Sequence, residues 1–289
     1  MIDEGATTVL IPHVDDVACA KGANDAMFEL PAGGVVTCGS VMVPPAWFPD
    51  AAARATSADV DLGVHLTLTS ESWAFRWSPI STSDPASGLI DQDGYMWPTV
   101  PALRHHGHPD AVDRELRAQI ERALHAGIDV THLDHHMGAA LAPEFVARTA
   151  GIAQDYSLPV LFPADIDGYV AALEMGTVDM RALADTREAL ARDGLAVADT
   201  FLMGLTYQDE PDTAATMRRE LAALKPGVTY LSLHCAQAGD IDAIHPKDSH
   251  WRVAEFALFR DAEFAAWVRG LPVEIRGMRH YRDAVRATR

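Results

Sequence analysis

Short apolar or β-branched runs alternate with helix-forming stretches along nearly the whole chain. Residues 9–14 form an apolar run that ends in Asp15-Asp16 and read as a buried first strand. Residues 35–43, 61–68, 128–134, 158–162, 196–202, 228–235 and 273–275 read as further strands. Helices are expected between them, over 20–30, 50–58, 213–224, 249–259, 262–269 and 281–286, with a weakly patterned helical stretch at 165–195. From Asp110 onward Val112, Leu116, Ile120 and Leu124 recur at helical spacing until Gly127 stops the run. Pro143 is expected to open the following helix. Periodicity fails only over residues 70–109, which are rich in Ser, Pro, Gly, Asp and Trp. A loop of that length inside a compact domain is usually functional or disordered.

Strand-helix alternation of this kind implies a mostly parallel sheet covered by helices. About seven units in one chain favour a distorted (β/α) barrel, TIM-barrel-like, over an open doubly wound sheet. No linker or internal repeat divides residues 1–289, so a single domain is expected. A chain of 289 residues, nearly half of them hydrophobic, buries a sizeable core without disulfides or structural metal. The formal net charge of -18 disfavours a nucleic-acid or anionic-membrane partner. Cys19, Cys38 and Cys235 are scattered and odd in number, so a reducing cytoplasm is expected. The acidic start, MIDEGATTVLIPHVDD, reads as neither signal peptide nor anchor. No apolar run is long enough to span a bilayer.

In a parallel barrel the active site lies at the carboxyl ends of the strands. The first predicted strand ends in His13-Val14-Asp15-Asp16, the third carries His65, and the fourth ends in His132-Leu133-Asp134-His135-His136. A late strand ends in His234. Taken singly, an Asp pair is a common turn or helix cap, and a histidine in an apolar strand is more often a hydrogen-bonded core residue than a ligand. Their shared position at strand ends is what points to a site. Imidazole and carboxylate ligands suit a divalent ion, and two His with one Asp leave coordination positions open, as catalytic sites require. The Asp pair offers one carboxylate for the metal and one for a base.

Four segments then resemble a known family, the YdjC-like carbohydrate deacetylases (the chitooligosaccharide or hopanoid-associated deacetylase group). They are Val14-Asp15-Asp16-Val17, Gly63-Val64-His65-Leu66-Thr67-Leu68-Thr69, Thr131-His132-Leu133-Asp134-His135-His136 and Leu233-His234-Cys235. The tail, Arg252 to Phe256 and His280 to Asp283, is similar as well. The resemblance implies a distorted (β/α) barrel. It implies Asp16, His65 and His136 as metal ligands, Asp15 as general base, and His234 as general acid or transition-state stabiliser. His13, His132 and Asp134 would orient these groups from behind. His135 stands where the family carries serine, and Val17-Ala18 where it carries Phe-Gly.

The expected reaction is metal-dependent hydrolysis of the acetyl group from an N-acetylated sugar or chitooligosaccharide. One divalent ion is expected, zinc or magnesium foremost. The partner would be that small-molecule sugar, and the chain could also form a homo-oligomer. Trp73 and Trp77 in the loop could stack on sugar rings or could simply pack the loop onto the barrel. Hydrolysis of a non-sugar amide or ester, and non-catalytic carbohydrate binding, are the alternatives. Cys235 as a nucleophile is disfavoured, because neighbours on a strand face opposite ways.

Overall fold

In the computed structural model, which describes residues 7–173, 177–205 and 212–288, every pairing between strands is parallel. The strands are β1 (Thr8–Val17), β2 (Cys38–Val41), β3 (Asp61–Leu66), β4 (Val130–His135), β5 (Val160–Leu161), β6 (Ala196–Val197), β7 (Thr200–Met203), β8 (Gly227–Leu233) and β9 (Glu274–Ile275). Residues 1–6 of the acidic start and 174–176 of the expected helical stretch lie outside the described residues.

Hydrogen bonding runs β6-β5-β4-β3-β2-β1-β8-β7, with β9 beside β1. The two ends of that path, β6 and β7, are consecutive in the chain. Ala198 between them has φ 83°, which breaks the single strand expected at 196–202 into two. Asp199 donates its N–H to the Val228 carbonyl, and its own carbonyl accepts the N–H of Asp165. The sheet therefore curls into a barrel whose two ends meet at this bend. Strands β1, β4 and β8 are buried on both faces, which is why they read as continuous runs rather than alternating ones.

The helix Pro109–His125 turns Val112, Leu116 and Ile120 inward, and Gly127 follows it with φ 86°, a conformation that glycine adopts freely. Leu124, which continues the apolar spacing, is exposed. Pro143 lies in the turn before its helix, which begins at Val146. Residues 70–109 are more ordered than their composition suggests. They contain the helix Val100–His106, capped by the Thr99 hydroxyl, and an antiparallel bridge between Ile90 and Met96. Buried Glu115 accepts the N–H groups of Ile80 and Ser81, and the Trp77 indole donates to the Thr69 carbonyl. These bonds seat the segment on the carboxyl end of the barrel. Among the described residues no helix is long and apolar enough to cross a membrane.

Candidate metal centre

Asp15 and Asp16 both line one pocket, although neighbours in a strand face opposite ways. The backbone resolves the conflict. Asp16 has φ 56° and Ala18 φ 79°, and the β1–β2 register slips between Val14 and Val17. This left-handed turn at the strand end swings the second carboxylate into the same space as the first. Left-handed non-glycine residues are uncommon, cost energy and gather at functional sites.

Asp16 Oδ1 lies 3.1 Å from His65 Nε2 and 3.0 Å from His136 Nδ1. One ligand atom from each of the three residues falls within 4.8 Å of the others, so the group could hold a metal ion. Adjacent ligands of a tetrahedral zinc ion are roughly 3.3 Å apart, close to these spacings. The second nitrogen of His65 is already engaged, donating to Asp134 Oδ1 at 2.8 Å. Asp134 Oδ2 accepts from the hydroxyls of Ser40 at 2.8 Å and Tyr230 at 3.2 Å. A carboxylate behind a ligating imidazole is what metal sites use to fix its tautomer.

Charges around the group are balanced locally. Burial pushes the Asp16 carboxyl up, but Arg252, whose Nη2 is 2.8 Å from Asp16 Oδ2, together with His136 and His65 holds it well below its usual range. Burial pushes His65 down, yet Asp134 and Asp16 raise it well above an ordinary imidazole. Burial opposes the charge on His136 too, but Glu71 and Asp16 bring its pKa up to about 9. Glu71 Oε2 accepts from His136 Nε2 at 2.9 Å.

The sequence-predicted residues separate into two layers. Asp15, Asp16, His65, Asp134, His136 and His234 line the pocket. His13 and His132 lie deeper, wholly buried in the barrel interior. His13 Nδ1 meets Asp15 Oδ1 at 2.5 Å and His13 Nε2 meets His132 Nε2 at 2.8 Å, so His132 reaches the pocket only through His13 and Asp15. The ring of His234 faces the pocket while its main-chain N–H donates to Glu255 Oε2 at 2.5 Å; burial pushes its pKa below the usual value. His135 also borders the pocket, but its Nε2 is engaged by the Leu161 carbonyl. Neither Trp73 nor Trp77 lines the pocket: Trp77 is 4% exposed and packed in the core, whereas Trp73 is 81% exposed.

Several lining groups are not among the candidates the sequence pattern singles out, Glu71, Ser232 and His245 among them; Arg252, which also lines the pocket, stands in the tail segment named above, which gives it no role. Ser232, whose hydroxyl donates to Asp15 Oδ2 at 2.6 Å, lies two residues before His234. Period-two alternation from His234 points to it. Glu71 sits in the aperiodic segment, and Arg252 comes from the helix Ser249–Arg260, far along the chain. No local signal marks Glu71, and none gives Arg252 a place in the pocket.

The model of one family, described as YdjC-like protein, matches residues 9–270. A protein of Thermus thermophilus named carbohydrate deacetylase is 34% identical over 232 residues, 80% of this chain and 79% of that one. One of the same name from Thermoanaerobacter pseudethanolicus is 23% identical over 265 residues, 90% of this chain and 94% of that one. A crystal structure from Enterococcus faecalis, named for cellobiose-phosphate cleavage, matches 95% of this chain and 99% of its own with TM-score 0.74. At 18% identity that likeness establishes the fold alone.

Proposed function

Because the chain belongs to the YdjC-like protein family, we propose that its pocket is the active site of a metal-dependent carbohydrate deacetylase, which hydrolyses the acetyl group from an N-acetylated sugar. The observation that carries this reading is the left-handed turn at Asp16, which brings two carboxylates with separate surroundings into one pocket with His65 and His136. The names of the Thermus and Thermoanaerobacter relatives support the same reaction.

Asp16, His65 and His136 would hold the ion. Two imidazole nitrogens and one carboxylate favour zinc, since magnesium prefers an all-oxygen shell. When bound, such an ion supplies Lewis acidity toward a water and toward the amide carbonyl. Arg252 occupies Asp16 Oδ2 and leaves Oδ1 for the ion.

Asp15 would take the proton of the attacking water. Its carboxylate is held on one side by His13 and on the other by the Ser232 hydroxyl, so it is fixed before substrate arrives. His234, from the strand end beside Asp15, would pass a proton to the leaving nitrogen. Leu161, Leu173, Phe201 and Met203 also line the pocket and give it apolar surface suited to a methyl group and a sugar face.

Acetate release from N-acetylated mono- and oligosaccharides by the zinc-loaded protein tests the reading. Release from at least one of them is expected. A protein that binds zinc at this site yet frees no acetate from any of them is not a carbohydrate deacetylase.

A further inference from the structure

Glu255, on the helix Ser249–Arg260, is a wholly buried carboxylate. A charge taken out of water is costly unless hydrogen bonds replace the water. Glu255 has two, both from the main chain. Leu205 donates its N–H to Oε1 at 2.5 Å, and His234 donates its N–H to Oε2 at 2.5 Å. Burial pushes the carboxyl up to about 7, against those two bonds and the charge of Arg252. The sheet explains why both donors turn to one group. β7 and β8 pair as far as Met203 and Ser232, and Gly204 then donates its N–H to the Ser232 carbonyl. Beyond that bond Glu255 takes the place of the ladder and ties the carboxyl ends of the two strands together. A Cβ on residue 204 would lie 2.2 Å from Glu255 Oε1, so glycine is what lets the carboxylate in.

The tie adjoins the pocket. Met203, Ser232 and His234 line it, and Glu255 does not. Ser232 and His234 are two residues apart and face the same way; the hydroxyl of the first donates to Asp15, and the ring of the second faces the pocket. The same helix holds this segment a second time. Arg252 lies three residues before Glu255, on the same helix face. Its carbonyl accepts the N–H of Ala236 at 3.1 Å, and its Nη2 is 2.8 Å from Asp16 Oδ2. Residues 234 and 236 are therefore both held by one turn of helix. With its main chain fixed, His234 has only its two side-chain torsions left to place the ring.

We propose that Glu255 is a positioning residue for His234: by holding the His234 N–H it fixes the ring of the proton donor against the leaving nitrogen of the substrate. The inference rests on His234 being that donor. The direction of both bonds is fixed by chemistry, since a main-chain N–H only donates and a carboxylate only accepts. A bond that merely satisfied two buried N–H groups would matter to folding and to every reaction of the pocket alike. A bond that places the donor matters to the step that needs a proton, because a misplaced catalytic group costs rate rather than binding.

The test uses the full chain loaded with zinc and two acetyl substrates that differ in the leaving group. An N-acetylglucosamine oligomer must have its leaving nitrogen protonated, whereas para-nitrophenyl acetate expels a stable phenolate without a proton. Assays well above pH 7 keep Glu255 ionised. Glu255→Met fills the same space without an acceptor. It is expected to lower kcat on the oligomer about 10- to 100-fold, with KM, zinc content and ester hydrolysis unchanged. Equal loss on both substrates means a structural role and overturns the proposal. The second readout is the ¹H–¹⁵N spectrum of the main chain, where the His234 and Leu205 amide protons should be shifted downfield by their charge-assisted bonds. A His234 amide without that shift in the wild type overturns the proposal. In Glu255→Gln the side-chain oxygen can accept from only one of the two N–H groups, and the spectrum shows which. Oligomer kcat should stay near wild type if the His234 amide keeps its shift and fall if it does not; this variant decides should Glu255→Met fail to fold. His234→Ala separates the two readings. If it loses oligomer hydrolysis selectively while Glu255→Met has wild-type kcat, the positioning fails and the donor stands. If His234→Ala is fully active, the donor reading itself falls, and the proposal with it.

Discussion

Asp134 Oδ1 takes the Nδ1 proton of His65 at 2.8 Å, which leaves Nε2 as the nitrogen turned to Asp16 Oδ1, 3.1 Å away. The Ser40 and Tyr230 hydroxyls hold Asp134 in turn. Replacing such a carboxylate frees the ring and lowers its basicity. Asp134→Asn is expected to weaken zinc affinity about 10- to 100-fold while the protein stays folded. Competition with a chelator of known affinity measures this, and an unchanged affinity would mean that Asp134 serves the fold and not the ligand.

Trp73 and Trp77 of the loop are expected to behave oppositely. Trp77 is 4% exposed, packs near Met42 and Met96, and donates its indole N–H to Thr69. Trp77→Ala should cost about 3–5 kcal/mol of stability, read from denaturant midpoints. Trp73 is 81% exposed and lies two residues beyond Glu71, which lines the pocket. Trp73→Ala should leave stability unchanged and raise KM for an oligosaccharide more than for a monosaccharide. Equal KM values for wild type and variant would remove Trp73 from substrate binding.

His245 provides a test against pH. It is buried 3.8 Å from Glu71 Oε1, and burial, with the charge of Arg252, pushes its pKa down from 6.5 to about 4. As pH falls, the unfolded chain takes up this proton near 6.5 and the folded chain only near 4. Stability is therefore lost across that window, on the order of 3 kcal/mol in all. His245→Gln should flatten this part of the acid dependence, seen as a shallower fall in urea midpoint between pH 6.5 and 4. A variant that loses stability as steeply as the wild type would contradict the assignment.

Much of this architecture is legible in the chain because parallel barrel strands are apolar on both faces. The runs at β1, β3, β4 and β8 therefore stand out, and the polar residues that interrupt their ends mark the pocket. Other features depend on backbone conformation, which composition does not carry. The bend at Ala198 splits a strand that reads as one, and the turn at Asp16 overrides the alternation that would separate the two carboxylates. The segment 70–109 reads as irregular because buried Glu115 and the indoles of Trp77 and Trp97 order it through bonds that its own periodicity does not show. Arg252 and Glu71 enter the pocket from distant parts of the chain, and only the closed barrel brings them to Asp16 and His136. His132 shows the limit most clearly. It belongs to a segment dense in ligand-type residues and shares a strand face with Asp134, yet it lies two residues deeper in the barrel, where its ring meets His13 instead of the pocket.

The most direct measurement is acetate release from an N-acetylated oligosaccharide by four preparations: chelator-stripped protein, the same protein restored with zinc, His65→Ala, and Asp15→Asn. The account predicts release by the zinc-restored protein alone. Asp15→Asn should still bind zinc, because Asp16, His65 and His136 remain, while His65→Ala should not. Full activity after stripping, or in Asp15→Asn, would contradict the claim that this metal group and this carboxylate carry the reaction.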